Sequence, residues 1–135
     1  STTLTGSFLF INAPTGTYYL MVKGRNCLET WSKAGGESYV SGSVLNYDFT
    51  TASAQAFGNN MRQVDNSPVQ YGIYSGDADQ NGAIDLTAVI RINNAASSFT
   101  TGYEVTDING DNITDLTDLI IANNNSADFV AVVAP

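Results

Sequence analysis

Two different periods divide the chain. Through GTYYLMVKGR, residues 16–25, apolar and polar positions alternate, so that Tyr18, Leu20 and Val22 fall on one face and Tyr19, Met21 and Lys23 on the other. That is the period of a β-strand. SVLNYDFT (43–50) repeats it, with Leu45, Tyr47 and Phe49 opposite Val44, Asn46 and Asp48, and GSFLFIN (6–12), NCLETWS (26–32), MRQV (61–64) and VQYGIY (69–74) are shorter candidates. The clusters APTG, KAGG, FGNN and DNSP between them are turn-forming, and TTASAQAF (50–57) fits one helical turn. Short strands at this spacing, with no long helical period, predict an antiparallel, Ig-like β-sandwich over residues 1–75.

Residues 76–135 read differently, as an internal repeat with a period of 30 whose copies span 77–99 and 107–129. Asp77 falls on Asp107, Asp79 on Asn109, Asn81 on Asp111, Asp85 on Asp115, Leu86 on Leu116, Thr87 on Thr117, Ile90 on Ile120 and Phe99 on Phe129. After each polar stretch the apolar residues switch to helical spacing, Leu86, Val89, Ile90 and Leu116, Leu119, Ile120. Each unit is thus a loop followed by a short helix, and neither can bury its apolar stripe alone. The two copies are expected to pack together about a pseudo-twofold axis.

The loops, DADQNGAID and DINGDNITD, place an oxygen-bearing side chain at alternate positions. Like charges at that spacing repel unless something neutralises them. Calcium takes about six to eight oxygen ligands, supplied in a loop from positions 1, 3, 5, 7 through the backbone carbonyl, 9 and 12, with a turn at position 6. In the first loop these are Asp77, Asp79, Asn81, the carbonyl of Ala83 and Asp85, with Gly82 at the turn and the non-coordinating Ala88 at position 12. In the second they are Asp107, Asn109, Asp111, the carbonyl of Ile113, Asp115 and Asp118, with Asn112, a residue that tolerates left-handed backbone, in place of glycine. Four carboxylates against three, and an intact last ligand, predict two Ca2+ sites of which the second is the stronger.

Charge follows the same division. Residues 1–76 balance Glu29, Glu37, Asp48 and Asp65 against Lys23, Arg25, Lys33 and Arg62, so the net charge of −8 lies wholly in the second half. Such polarity argues against nucleic acid and anionic membranes as partners and suits a cation. With no histidine and one cysteine, the usual zinc ligands and the usual bases for Ser or Cys nucleophiles are missing, and no intrachain disulfide can form. Cys27 reads as a buried small apolar residue, or else as the site of an intermolecular bridge or a reactive thiol. No apolar run reaches the ~20 residues of a membrane span. The carboxylates outside the loops form no recognisable catalytic pair, so an enzyme is not expected.

The units DADQNGAIDLTAVI and DINGDNITDLTDLI resemble the duplicated calcium loop and helix of dockerin modules, which lack the leading helix of an EF-hand. GTYYLMVKGRNCLETWSKAGG, YDFTTASAQAFGNNM and YGIYSGD resemble the small sandwich that precedes such units at the C-termini of large secreted proteins of Bacteroidetes and Ignavibacteria type. The resemblance implies an extracellular or cell-surface location, and a sandwich whose first strands lie upstream of Ser1. A sheet short of a strand exposes an edge that recruits another. It further implies a non-catalytic module that binds a protein partner through loop positions 10 and 11, here Leu86, Thr87, Leu116 and Thr117; the bland alternative is that the leucines are core and the threonines helix caps.

These readings converge on a calcium-stabilised assembly module acting through protein contact, whether by adhesion, anchoring, cohesin-type docking or self-polymerisation by strand addition. The apolar tail FVAVVA (129–134) is either docked on its own sandwich or donated to a neighbour. A carbohydrate-binding module is the alternative, with Tyr18, Tyr19, Trp31, Tyr39, Tyr47 and Tyr71 as stacking candidates.

Overall fold

The computed structural model describes residues 5–135; residues 1–4, the start of the expected sandwich module, lie outside the described residues. The strands are β1 (Gly16–Tyr18), β2 (Met21–Val22), β3 (Thr30–Trp31), β4 (Glu37–Tyr39), β5 (Arg62–Asn66) and β6 (Val69–Gly72), followed by the helices α1 (Leu86–Ser97) and α2 (Leu116–Ala127). The chain is of the expected class, antiparallel β with a smaller α part. Among the described residues the strands pair as three two-stranded antiparallel sheets, β1 with β4, β2 with β3 and β5 with β6.

Why the continuous strand expected over 16–25 is split can be read from its partner. Tyr18 pairs with Glu37 and Met21 with Trp31, so a short step on one side faces a longer one that loops out through Lys33–Gly36. At the break the Leu20 amide donates to Ser32 Oγ at 3.0 Å, while the Ser32 amide donates to the Leu20 carbonyl at 2.8 Å. The segment 43–50 forms no strand. Its alternation survives as burial alone: Leu45, Tyr47 and Phe49 are half-buried and Val44, Asn46 and Asp48 exposed. Tyr47 is held by donating its hydroxyl to the Gln55 carbonyl, and its ring meets Phe49 edge-on at 4.8 Å. The helical turn expected within 50–57 is a 3-10 turn at Ser53–Gln55. Residues 6–12, expected as a strand, belong to none.

Both helices have twelve residues and start 30 positions apart. They share a core in which Ile92 and Ala122 meet Ala78 and Ile108 from the two loops, with Val89, Leu119 and Ile121 around them. The inward stripe is only partly the one the spacing suggested, since Val89 and Leu119 pack on this core. Leu86, Ile90, Leu116 and Ile120 face outward, each about half exposed or more, because the deepest positions, Ala88 and Ile92 on α1 and Asp118 and Ala122 on α2, lie on the adjoining face.

A second core joins the two halves: Leu28, Ile84 and Val130, flanked by Tyr74 and Val132. Segment 24–28 runs alongside both polar loops. The Gly76 amide donates to the Asn26 carbonyl at 2.7 Å, the Leu28 amide to the Tyr74 carbonyl at 2.8 Å, Gln80 Nε2 to the Gly24 carbonyl at 2.6 Å, and Asn26 Nδ2 to the Asp107 carbonyl at 2.7 Å. From α2, the buried Asn125 receives Arg62 Nη1 from β5 and donates to the Ser75 carbonyl.

Candidate metal centre

The polar loops have the same backbone. Left-handed residues occur at loop positions 4 and 6 in both, Gln80 and Gly82 in one and Gly110 and Asn112 in the other. Each loop therefore has glycine at one of the two positions and a residue of the other kind at its partner, with the asparagine placed where the sequence expects it. The curl brings successive amides inward. Asp77 accepts from the Asn81 and Gly82 amides at 3.1 and 3.2 Å. Its counterpart Asp107 accepts from Gly110, Asp111 and Asn112 at 2.8, 3.2 and 3.0 Å.

The loops are braced by each other's tails. The Ile84 amide donates to the Val130 carbonyl at 2.9 Å and the Val132 amide to the Gly82 carbonyl at 2.8 Å. The same pair recurs 30 residues on, where the Thr114 amide donates to the Thr100 carbonyl at 2.7 Å and the Gly102 amide to the Asn112 carbonyl at 3.0 Å. The segment after α1 thus seals the second loop and the segment after α2 seals the first, a closed exchange with the expected pseudo-twofold logic. The tail 129–134 accordingly lies against the first loop rather than only on the strand half, although Asn60 Nδ2 also reaches the Ala131 carbonyl. Thr100–Gly102 and Val130–Val132 share no residue, so the repeat in the sequence gives no sign of this pairing.

Asp85 and Asp115, at loop position 9, are also the N-caps of α1 and α2, accepting the Thr87 and Thr117 amides at 2.7 Å each. The caps are these aspartates, so Thr87 and Thr117 are not caps, and the exposed Leu86 and Leu116 are not core. Asp118, at position 12 and fully buried, accepts the amides of Ile108, Asn109 and Asp115 at 2.7, 3.0 and 2.9 Å. Within the rings the amide side chains sit among the carboxylates. Asn81 Nδ2 lies 3.1 Å from Asp79 Oδ2 and 3.4 Å from Asp85 Oδ2, and Asn109 Nδ2 lies 2.9 Å from Asp111 Oδ2. The Ala83 and Ile113 amides donate to Asn81 Oδ1 and Asp111 Oδ1.

Among the described residues no group of three or more His, Cys, Asp or Glu side chains stands arranged to hold a metal ion. The donor set nevertheless suits a hard cation, because every side-chain ligand candidate offers oxygen. One atom has no present use: Asp79 Oδ1 is buried and without a hydrogen-bond partner. A carboxylate oxygen in that condition is costly unless something positive meets it. Burial pushes the Asp77 carboxyl above the usual carboxylate range against the bonds from Gly82 and Asn81, and neighbouring Asp79 pushes the same way. Asp85 is held below that range by the Thr87 amide.

Two residues outside the loops were not visible as site residues in the sequence. Arg25 Nη2 lies 3.7 Å from Asp107 Oδ2, and its guanidinium stacks on Tyr103 at 3.7 Å from the ring centre. Neither spacing nor motif marks an arginine 82 positions upstream of its partner. The aromatics weighed as sugar platforms are engaged locally: Tyr18 meets Tyr39 edge-on, Tyr19 meets Phe57, and Trp31 Nε1 donates to Glu29 at 2.8 Å. No described helix is long and apolar enough to cross a membrane. No protein-family model matches the chain, and neither a curated protein nor a solved structure matches it at a significant level.

Proposed function

We propose that this chain is a non-catalytic, extracellular calcium-binding module for protein–protein assembly, built as a dockerin-like pair of loops and helices joined to a β-sandwich portion. The observation that carries the reading is the orphaned, buried Asp79 Oδ1 inside a loop whose backbone recurs 30 residues later. Asp77, Asp79, Asn81, Asp85 and the Ala83 carbonyl would hold one ion, and Asp107, Asn109, Asp111, Asp115, Asp118 and the Ile113 carbonyl the other. When bound, the cation supplies positive charge to rings of carboxylates that otherwise repel. The chain's own residues do the rest: Asp85 and Asp115 start the helices, and residues 100–102 and 130–132 close the loops.

Calcium acts here as a staple for the fold. At about 100 times its dissociation constant it adds roughly 2.7 kcal/mol to stability, a large share of what a small module possesses. Assembly is the reading for the exposed apolar surface, and self-association into a fibre at the cell surface is the form it takes. Docking to a cohesin-like partner is the second reading, favoured by Leu86 and Leu116, which face outward at equivalent positions of both copies. Light scattering of the purified chain in calcium and in EGTA tests the first: calcium-dependent growth in mass supports self-assembly, and an unchanging monomer in both opposes it.

A further inference from the structure

Residues 8–11, Phe-Leu-Phe-Ile, are exposed by 84%, 84%, 72% and 75% in turn. Four consecutive large apolar residues are not the pattern of a strand with one wet face. They are the pattern of a strand buried on both faces. Yet residues 6–12 belong to no strand.

The same half of the molecule lacks cover of its own. Among the described residues up to Gly76, the buried apolar side chains are Leu28, Ala56 and Met61, whereas the shorter second half buries Ala78, Ile84, Ala88, Ile92, Ile108, Ala122 and Val130. Two-stranded sheets are marginal in water without a further strand or a packed face. Among the described residues β1 and β2 each have one partner strand, leaving a free edge, and beside that edge Tyr19, Met21 and Val22 are 38%, 47% and 39% exposed.

Resting on the self-assembly reading above, we propose that residues 6–12 of one copy add as a strand to the free edge of β1–β2 in a second copy, burying Phe8, Leu9, Phe10 and Ile11 there. The second copy is the occupant because every chain carries both the uncovered strand and the uncovered edge, so head-to-tail addition satisfies both without a third component. Such a heterologous contact propagates as a fibre wherever its rotation does not close it into a ring. Electrostatics permit it: no charged residue occurs before Lys23, and the strand half is neutral overall while the helical half carries the −8. With each aromatic ring contributing ~150–250 Å2, the four side chains bring roughly 600 Å2 to the contact, near the ~800 Å2 per partner of stable interfaces. An acidic side chain at Phe8 or Phe10 would be expelled from it while costing the separate chain nothing in packing.

The test compares the wild-type 135-residue chain with Phe8→Asp/Phe10→Asp in calcium by sedimentation over a hundredfold concentration range, with hydrogen exchange on the same samples. The expected result is a wild-type mass that rises with concentration, a double variant that stays monomeric with an unchanged melting temperature, and at least tenfold slower exchange at residues 8–11 and 16–22 of the assembled wild type. Excess GSFLFIN peptide lowers the wild-type mass. A double variant that assembles like wild type overturns the donor assignment and leaves the assembly reading standing. A monomeric wild type with residues 8–11 protected shows the segment folding onto its own chain and overturns the exchange between copies. A monomeric wild type with residues 8–11 unprotected removes the self-assembly reading and this inference with it.

Discussion

Arg25 places its guanidinium 3.7 Å from the carboxylate of Asp107, the residue that opens the second polar loop. The pair crosses from the neutral strand half to the acidic half and is mostly buried on the Asp107 side. It offsets one of the second loop's four carboxylates, and would so narrow the difference in calcium affinity that counting four against three predicts. Arg25→Gln is expected to strengthen calcium binding at the second loop several-fold, since a competing cation is removed. In EGTA the same variant loses about 1 kcal/mol of stability. Isothermal titration and chemical denaturation read the two effects separately, and they have opposite signs.

Gly76 has a positive φ of 124°, and a Cβ there would stand 3.0 Å from Ile84 Cγ2 and 3.2 Å from the Ala122 backbone. At the equivalent place in the second copy, Thr106 and Thr114 share a buried hydrogen bond of 2.9 Å. Gly76→Ala therefore presses on the contact between the first loop and α2. A loss of roughly 2 kcal/mol is expected from urea unfolding, with Thr106→Ala costing about 1 kcal/mol at the equivalent place.

Phe99 and Phe129 follow α1 and α2 with φ of 46° and 53°, in the left-handed region that bulky residues disfavour. Both side chains are mostly exposed, by 68% and 91%, so little packing is lost on removing them. Phe129→Gly is expected to raise stability by about 1 kcal/mol, glycine being the favoured residue just past a helix end. Thermal melts of the two single variants and the double variant check this, and the increments should add because the sites are independent.

Burial pushes the Cys27 thiol above its ordinary range, and the charge of Asp77 adds to the shift. A thiol whose pKa is higher folded than unfolded contributes stability that is complete below the unfolded value and is lost as pH rises through the folded one. Stability is thus expected to decline on the alkaline side, and Cys27→Ser to remove that component of the decline. At pH 8 alkylation by iodoacetamide should be at least tenfold slower in the native chain than in urea.

The helical half was largely legible because its residues answer to local demands. Oxygen-bearing side chains recur at fixed intervals in each loop, and the period of 30 repeats those intervals, which places both helix starts and the left-handed backbone at position 6 of each loop. What spacing leaves open is rotation. Leu86 and Ile90 recur at the right interval for a buried stripe, yet Ala88 and Ile92 on the adjoining face go inward. The strand half resisted reading because a strand is defined by its partner. Alternation through 43–50 predicts which side chains are covered, and the structure shows that cover, but the ladder expected with it does not form. At 16–25 the pattern is continuous while its partners change midway, a decision made by the Lys33–Gly36 loop. The Arg25–Asp107 pair lies beyond any local signal, since it arises only when the halves meet.

Calorimetric melting of the chain in about 1 mM calcium and in EGTA tests the central claim most directly. Two oxygen rings stapled by a divalent cation predict a transition roughly 10 °C higher with calcium, the shift corresponding to some 2.7 kcal/mol in a chain of this size. Coincident curves would contradict it.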